Sequence, residues 1–314
     1  MGISSLIPYI TSKYPSLIVA STSFEYLAGR QIFIDCNSVL RRSLYGALNK
    51  TLEHRRSHYL RGTKHIDIKA LRGHILNFAA RPLMLLNSAL SKISDIEVVF
   101  VIGSLPPFRS KSYVNVLDTK DSRILSALVD HFEGRSEYKL CIGLRQEDVL
   151  TISERLMDRR AKVKIREDNI GRRCVEFCSS PSSYVLSDDT DVIAFGAPNV
   201  IRNYLGKTKC SCINHRDLLN AMELTRAQFI DYCILSGYKD FKVPEIYPGR
   251  AHEIIKRFKT LEDFFSSSFY VTLFNSKTGT ALLKAHNMNL DEYTQQVLNF
   301  KALREELDIH KDFY

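Results

Sequence analysis

The chain has 314 residues, of which 45% are hydrophobic, and this is enough for the core of one large domain or two smaller ones. No run approaches the roughly eighteen consecutive apolar residues of a transmembrane helix, and no secretory signal is evident, so we expect no membrane partner and a nuclear or cytoplasmic protein. The formal net charge of +9 modestly favours a polyanionic partner such as nucleic acid, because lysine and arginine release counterions when they neutralise phosphates.

In the first half of the chain, the pattern of apolar residues predicts two buried strands and two amphipathic helices. "IFID" (32–35) and "VVFVIG" (98–103) are continuous apolar runs, typical of strands buried on both faces of a parallel sheet. Residues 67–92 carry apolar side chains at a period of about 3.6 residues and predict a helix. Residues 147–160 predict another.

The stretch "SYVLSDDTDVIAFGAPNVIRNY" (183–204) places three acids between two apolar runs. We predict strands for the run before the acids and for the run that ends at Phe195. Alternating strands and helices predict an α/β fold with a parallel sheet, in which ligands bind beyond the carboxyl ends of the strands. Asp35 ends the first strand, and Asp189 and Asp191 follow a later one, so we expect these acids at one edge, where an acidic metal site can form.

After about residue 216 the pattern becomes mainly helical. "YPGRAHEIIKRF" predicts a helix after a turn, and "KTLEDFF" predicts another, with Thr260 as N-cap and Asp263 in the capping-box position. A short basic turn between two helices can hold a phosphate backbone through amide groups at a helix N-terminus. The alternative is a plain helical hairpin, which the spacing alone favours.

Seven scattered cysteines fit a reduced intracellular protein better than a disulfide framework. Cys210, Cys212 and His215 form a potential zinc cluster with Cys174 and Cys178. The spacings of one and three residues do not form the two matched pairs of a zinc knuckle, so we favour ordinary cysteines over structural zinc.

Five stretches resemble motifs of the flap endonuclease/XPG-like 5′-nuclease family and occur in the order of that family. They are "MGISSLIPYI", "GRQIFIDCNSVLRR", "EVVFVIGSLPP", "YVLSDDTDVIAFGAPNVIRN" and "CILSGYKDFKVPEIYPGRAHEIIKRFKTLEDF". The resemblance implies a PIN-like parallel-sheet nuclease core with a helical arch region and a C-terminal helix-hairpin-helix-like part. Its regions are an XPG N-terminal-like region (1–108), an arch or linker (109–160), an XPG internal-like region (161–236) and the helix-hairpin-helix-like part (237–314).

The resemblance also implies hydrolysis of phosphodiester bonds in branched or 5′-ended DNA with up to two Mg²⁺ or Mn²⁺ ions. Two such ions about 4 Å apart activate water and stabilise the leaving oxygen, and hard Mg²⁺ prefers carboxylate oxygens. Asp35, Asp189 and Asp191 match the family's catalytic and metal-binding aspartates. Asp188 stands where the family usually has a glutamate that is not a core ligand.

Other ligand positions depart from the family pattern. The aspartate of "F-D-G" falls at Ile102. The paired glutamates fall at Asp168 and Ile170, with Glu167 one register away from the first. An apolar residue at a ligand position removes negative charge, so we expect the second metal site to be the weaker one and Asp168 to serve as a further ligand.

The late aspartate of the family's "G-x-D-Y" falls on Lys239, and Asp240 takes its place as a predicted metal ligand after a slip of one residue. The hairpin "G-I-G-P" is "EIYP" (245–248) here, which lacks both glycines. The residues that the resemblance implies in nucleic-acid binding are Arg41, Arg109, Lys111, Lys120, Arg123, Gly249 and Arg250. For each of the cations, the alternative is an ordinary solvated surface residue.

Three functional hypotheses follow. The retained aspartates favour an active structure-specific 5′-nuclease, whereas the isoleucines at 102 and 170 favour an inactive or weakened pseudonuclease that binds nucleic acid or acts as a scaffold. The family resemblance tips the balance slightly toward the nuclease. A purely structural protein is the third hypothesis. The segment "QQVLNFKA" (295–302) lacks the paired aromatics of a sliding-clamp motif, so clamp binding is not predicted.

Overall fold

The structure is a computed structural model of the whole chain. It describes residues 3, 5–21, 24–60, 66–106, 113–117, 123–134, 139–203, 210–241, 243, 245–286, 289–297 and 300–309. These residues form two compact units, which we call the central unit (Phe24–Cys174) and the terminal unit (Met1–Ser23 with Val175–Tyr314). The four regions implied by the resemblance follow other limits and stay a prediction.

Strands and helices alternate along the described chain. The strands are β1 (Val19–Ser21), β2 (Gln31–Asp35), β3 (Glu97–Ile102), β4 (Tyr113–Asn115), β5 (Lys139–Cys141), β6 (Lys162–Ile165), β7 (Tyr184–Leu186), β8 (Asn199–Arg202) and β9 (Cys210–Asn214). The α-helices are α1 (Leu6–Lys13), α2 (Cys36–Leu60), α3 (Ile68–Leu90), α4 (Ile124–Glu133), α5 (Gln146–Met157), α6 (Ile170–Glu176), α7 (Asp191–Ala194), α8 (His215–Met222), α9 (Arg226–Leu235), α10 (Pro248–Phe258), α11 (Leu261–Phe265), α12 (Ser268–Phe274), α13 (Lys277–His286), α14 (Leu290–Val297) and α15 (Phe300–Leu307). Short 3₁₀ helices lie at Pro15–Leu17, Glu25–Leu27 and Tyr238–Asp240.

Parallel strands form the sheet of the central unit, in the order β2–β3–β6. A second parallel pair, β4 with β5, lies in the same unit. Ile32, Phe33 and Ile34 of β2 are buried on both faces, as are the last four residues of β3. The two strands predicted from apolar runs are therefore confirmed, because a strand covered on both faces needs apolar side chains at successive positions.

The amphipathic helices of the central unit are also confirmed. α3 begins after Asp67, whose carboxylate accepts a hydrogen bond from the Ala70 amide, so the side chain satisfies one free amide of the first turn. Its apolar stripe, which includes Leu71 and Ile75, is buried. α5 covers most of the second predicted helix and ends at Met157.

The strands of the terminal unit are ordered β1–β9–β8–β7, with β7 and β8 parallel and β9 antiparallel to both of its neighbours. Most strand pairs of the two units are thus parallel, and the predicted α/β class is confirmed.

One predicted strand is wrong, because the run that ends at Phe195 contains the short helix α7. The Asp189 carboxylate accepts a hydrogen bond from the Asp191 amide, and the Ser187 hydroxyl accepts one from the Asp189 amide. These contacts bend the backbone into a turn directly after β7. Gly196 then ends the helical segment with a φ of +86°, which a residue with a Cβ rarely adopts.

The C-terminal helices follow the sequence prediction closely. α10 begins at Pro248 and buries Ala251, Ile254 and Ile255. The Thr260 hydroxyl accepts a hydrogen bond from the Asp263 amide at 3.1 Å, which confirms Thr260 as an N-cap. Among the described helices, none has the length and apolar character needed to cross a membrane.

Gly103, which follows β3, provides a test of this packing. A Cβ there would lie 2.3 Å from the Arg166 carbonyl oxygen and 2.7 Å from Ile170 Cδ1. We predict that Gly103→Ala lowers the free energy of unfolding in urea by about 1–3 kcal/mol, the usual cost of overpacking. Gly46→Ala is the control, because Gly46 lies within α2 with no atom within 4 Å of its Cβ position, and alanine favours a helix. Equal effects of the two substitutions would contradict the packing described.

Candidate metal and nucleic-acid site

Asp189 and Asp191 lie side by side in the turn between β7 and α7. The Asp191 amide donates to Asp189 Oδ1 at 3.2 Å, and the Asp189 amide donates to the buried Ser187 hydroxyl at 3.0 Å. The Thr190 hydroxyl donates to the Ile3 carbonyl oxygen at 3.4 Å, which ties the turn to the beginning of the chain. The backbone thus keeps two carboxylates close together.

The surroundings of Asp191 disfavour its ionised form. Burial raises the pKa of Asp191 to about 7, and the negative charges of Asp189 and Glu306 act in the same direction. Asp191 Oδ1 is buried and has no hydrogen-bond partner among the described residues. A bound cation would favour the ionised form of this buried carboxylate, because it supplies positive charge beside two neighbouring acids.

The pair fits a divalent cation in its donor chemistry. Mg²⁺ is usually held by one or two carboxylates together with water and substrate phosphates, rather than by a complete protein cage. Within the described residues, no three or more His, Cys, Asp or Glu side chains are grouped so that they could hold a metal ion.

Asp188 takes part in the hydrogen bonding of its own loop. Its Oδ1 accepts a hydrogen bond from the Asn203 amide at 2.9 Å, and its carbonyl oxygen accepts one from Arg202 Nη2 at 2.7 Å. These contacts join the end of β7 to the end of β8. The role that the structure gives Asp188 is structural.

Asp35, in the central unit, is the last residue of β2 and only 3% exposed. Its Oδ1 accepts a hydrogen bond from the Ser38 amide at 3.1 Å, and the Ser38 hydroxyl donates to its carbonyl oxygen at 3.0 Å. The carboxylate thus lies where β2 passes into α2, at the carboxyl end of a parallel strand, which is the usual ligand-binding end. Burial, with the charge of Asp35 as a second cause, raises the pKa of the adjacent Cys36 thiol well above its ordinary value.

The positions at which the resemblance implies two more acids are apolar and packed. Ile102 is fully buried at the end of β3, and Ile170 is 3% exposed at the start of α6. Ile170 packs over Gly103, where its side chain fills the space that a Cβ would need. The end of β3 therefore carries an apolar contact instead of a carboxylate.

Asp168 lies between β6 and α6, where its carboxylate is paired with the Arg173 guanidinium and is half exposed. The hydrogen bonds from Arg173 hold the pKa of Asp168 below its ordinary value. Its role as a metal ligand stays a prediction, and metal binding there requires that the arginine contact be exchanged.

The late acid position is occupied by Lys239, whose backbone is left-handed with a φ of +50°. Lys239 Nζ donates to Glu306 Oε2 at 2.6 Å, and the Tyr238 hydroxyl donates to Glu306 Oε1 at 2.9 Å. α15 therefore brings a carboxylate to the Lys239 ammonium group. The side chain of Asp240, the alternative ligand, lies outside the described part of the chain.

The predicted nucleic-acid contacts are only partly described. Arg109, Lys111 and Lys120 lie outside the described residues. Arg41 is half buried in α2, and Arg123 is exposed directly before α4. Their binding roles stay predictions.

Gly249 and Arg250 lie in the first turn of α10. A Cβ at Gly249 would lie 3.4 Å from the rings of both Tyr9 and Tyr247. The helix start is therefore packed between two aromatic side chains, and Gly249 is small enough to allow this packing.

Arg226 supports the acid-bearing turn and was missed by the sequence analysis. Its Nη2 donates to the Ala194 carbonyl oxygen at 2.8 Å and to the Leu307 carbonyl oxygen at 2.7 Å. The guanidinium thus joins the carboxyl ends of α7 and α15, which lack intrahelical partners for their last carbonyl groups. A Cβ at Gly196 would lie 2.9 Å from the same nitrogen, so the glycine after Phe195 leaves room for this contact.

Comparison with known proteins shows similarity to nucleases. Residues 173–239, which include the acid pair, match the XPG I-region family model. The chain is 25% identical over 275 residues to Flap endonuclease 1-1 of Paramecium tetraurelia, a match that covers 83% of this chain and 66% of the relative. Four curated relatives match this chain along most of its length. The matches span about half to two-thirds of the length of those relatives.

Solved structures show the same fold. The catalytic core of Rad2 in complex with DNA substrate superposes with a TM-score of 0.55 at 16% identity, covering 100% of this chain and 89% of that chain. Human GEN1 in complex with Holliday junction DNA superposes with a TM-score of 0.57 at 14% identity, covering 99% of this chain and 67% of that chain. The chain thus resembles the flap endonuclease/XPG-like 5′-nuclease family in its XPG I-region and in its fold.

The cost of ionising the buried Asp191 beside Asp189 should lower the stability of the folded protein. We predict that Asp191→Asn raises the free energy of unfolding in EDTA at pH 8, by on the order of 1–3 kcal/mol. The folded-state pKa of about 7 lies above the ordinary value of 3.8, so the folded protein binds the proton more tightly than the unfolded chain does. The ionisation penalty is therefore fully present above pH 7, and it declines as the pH falls toward 4.

Urea unfolding of both proteins at pH 8 and pH 5 measures this difference, and the gain should be smaller at pH 5. Asp188→Asn is the matched control, because it makes the same chemical change in a carboxylate that already accepts a backbone hydrogen bond. A gain for Asp188→Asn equal to that for Asp191→Asn would contradict the account.

Proposed function

We propose that this protein is a divalent-metal-dependent nuclease that hydrolyses phosphodiester bonds, with Asp189 and Asp191 as ligands of the metal ion. The observation that carries the proposal is the buried Asp191 Oδ1, which has no hydrogen-bond partner among the described residues and lies beside the Asp189 carboxylate. This pair lies within the part of the chain that matches the XPG I-region. A cation there relieves the repulsion between two carboxylates and brings positive charge to a bound phosphate.

Branched or 5′-ended DNA is the proposed substrate class. The curated relatives are flap endonucleases, and the structural neighbours were solved with DNA substrate and with Holliday junction DNA. The net charge of +9 supports a polyanionic partner, because phosphate neutralisation releases counterions. These similarities support binding of nucleic acid more strongly than they support a particular branched structure.

The residues of the candidate site fall into proposed metal ligands and residues that hold those ligands in place. A bound Mg²⁺ or Mn²⁺ would polarise the phosphate and promote the formation of a nucleophile from water. Asp189 and Asp191 would hold this ion, and the role of Asp35 as a metal ligand stays a prediction of the sequence resemblance. Asp168 and Asp240 stay predicted metal ligands. Arg226 holds the carboxyl end of α7 and so keeps the Asp191 backbone in place.

A weakened nuclease or pseudonuclease is the second candidate, and the packing of Ile102 and Ile170 favours it. These side chains contribute no negative charge that could hold a metal ion. A water molecule could take their place only if buried apolar surface became exposed to solvent, which is unfavourable. Loss of a single electrostatic contact in a transition state typically reduces the rate by about 10²–10³. A nuclease with one strong and one weak metal site is therefore slow but measurable.

Cleavage assays distinguish the two candidates. Purified protein is mixed with labelled 5′-flap, nicked-duplex and single-stranded DNA, and with the matching RNA, in Mg²⁺ or Mn²⁺. We predict metal-dependent cleavage of branched or 5′-ended DNA, and a loss of at least about 10²-fold in Asp189→Asn with Asp191→Asn. Asp291→Asn in α14 is the control, because this exposed aspartate lies outside the candidate site.

The results of these assays distinguish the nuclease, the pseudonuclease and catalysis at another site. Salt-sensitive binding without cleavage by any of these proteins would support the pseudonuclease and contradict the nuclease. Cleavage that persists in the double variant would show that another site catalyses the reaction.

A further inference from the structure

The turn before α10 holds an acidic residue in a backbone conformation that suits glycine. Glu245 has a φ of +60°, in the left-handed region that side chains with a Cβ rarely adopt. A glycine would adopt this conformation without strain. The chain therefore keeps a carboxylate at this position at some cost to the backbone, and its contacts indicate what the carboxylate does.

The contacts of Glu245 are made with Arg250. Arg250 Nη1 donates to Glu245 Oε2 at 3.2 Å and to the Glu245 carbonyl oxygen at 3.3 Å. The two side chains are 38% and 28% exposed, for Glu245 and Arg250 respectively. This is a solvent-accessible ion pair, and pairs of this kind exchange partners easily because water and salt screen them.

Arg250 and Arg257 of α10 both lie over the ring of Phe269. The guanidinium carbon of Arg250 lies 5.6 Å from the centre of the Phe269 ring, and that of Arg257 lies 5.7 Å from the same ring. Tyr247, directly before α10, is 64% exposed. We call Glu245, Tyr247, Arg250, Arg257 and Phe269 the hairpin surface.

The composition of the hairpin surface suits nucleic acid. Arginines contact phosphates, and exposed aromatic rings stack on bases without regard to sequence. Glu245 opposes this use, because its negative charge repels a phosphate and already occupies the guanidinium of Arg250. A phosphate that binds Arg250 through Nη1 must displace the carboxylate, and a phosphate on the other guanidinium nitrogens lies near its negative charge.

We propose that Glu245 competes with nucleic-acid phosphate for Arg250 and so limits the contribution of the hairpin surface to binding. This inference rests on the proposed function only in taking nucleic acid as the partner. Phosphate contacts are the same in any nucleic acid sequence. When Arg250 is paired with Glu245, sequence-independent binding is therefore weaker, and the other contacts of the protein determine which substrate is preferred.

A double-mutant cycle between Glu245 and Arg250 tests the proposal. The proteins are the wild type, Glu245→Gln, Glu245→Gly, Arg250→Ala, and Arg250→Ala combined with Glu245→Gln. Binding to a fluorescein-labelled 5′-flap DNA is measured by anisotropy in EDTA, which prevents cleavage, at several salt concentrations. Glu245→Gln removes the charge but keeps the size of the side chain, whereas Glu245→Gly also relieves the backbone.

We expect both Glu245 variants to bind about 3–10-fold more tightly at low salt, with a salt dependence steeper by about one phosphate contact. Arg250→Ala should weaken binding more in the Glu245→Gln background than in the wild type. Glu253→Gln is the matched control, because it removes another exposed acid of α10. Urea unfolding of every variant confirms that each one is folded.

A gain for Glu253→Gln equal to that for Glu245→Gln would overturn the proposal, because the effect would then follow net charge alone. Equal losses from Arg250→Ala in both backgrounds would overturn it as well. Absence of binding in every protein would overturn both this inference and the proposed function. The expected gain in binding, found together with no metal-dependent cleavage, would uphold the inference and remove only the nuclease.

Discussion

Repulsion between two neighbouring carboxylates is the constraint around which the candidate site is built. Asp189 and Asp191 are held in one turn, and burial makes the ionised form of Asp191 unfavourable. A chain left to itself would relax such a pair by turning one side chain toward water. Here the turn is fixed from several sides, by Ser187 at its start, by Ile3 through Thr190, and by Arg226 at the end of α7. Strain held in this way by surrounding structure is typical of sites that bind charged ligands.

The supports of this turn come from distant parts of the sequence. Arg226, at the start of α9, reaches the carbonyl groups that end α7 and α15. Arg304 of α15 pairs with the buried Asp231 of α9, which keeps α15 against that helix. Glu306 of the same helix is paired with Lys239 and adds to the negative potential at Asp191. α15 is therefore part of the structure that holds the acid-bearing turn.

The central unit carries one buried aspartate and one buried isoleucine at the ends of two neighbouring strands. Asp35 lies at the end of β2, and Ile102 lies fully buried at the end of the neighbouring β3. Ile170 covers Gly103, so an acid placed at either isoleucine would have to be buried in space that is already packed.

Sequence reasoning succeeded where one periodicity dominates. The continuous apolar runs of β2 and β3, the 3.6-residue period of α3 and the Thr260 cap each depend on residues close in the chain. It failed at Val192 to Phe195, because a short apolar run fits a buried strand and a buried helical turn equally well. The hydrogen bond from the Asp191 amide to Asp189 decided between them.

Arg226 and the left-handed Glu245 were not foreseen, because both depend on which residues meet in the folded chain. The glycine after Phe195 was the one local signal of Arg226, since it is the residue that leaves room for the guanidinium. Glu245 and Arg250 are close in the sequence. The role proposed for their ion pair in nucleic-acid binding depends on the ring of Phe269, which lies beside Arg250 only in the folded chain. Such features follow from tertiary packing and cannot be obtained from periodicity.

The most direct test of the central claim is Mn²⁺ binding in the absence of nucleic acid, measured by electron paramagnetic resonance on the wild type and on Asp189→Asn with Asp191→Asn. The account predicts saturable binding to the wild-type protein that is lost in the double variant, while the variant remains folded. A wild type that binds no Mn²⁺, or a double variant that binds it equally well, would contradict the assignment of the acid pair as the metal site.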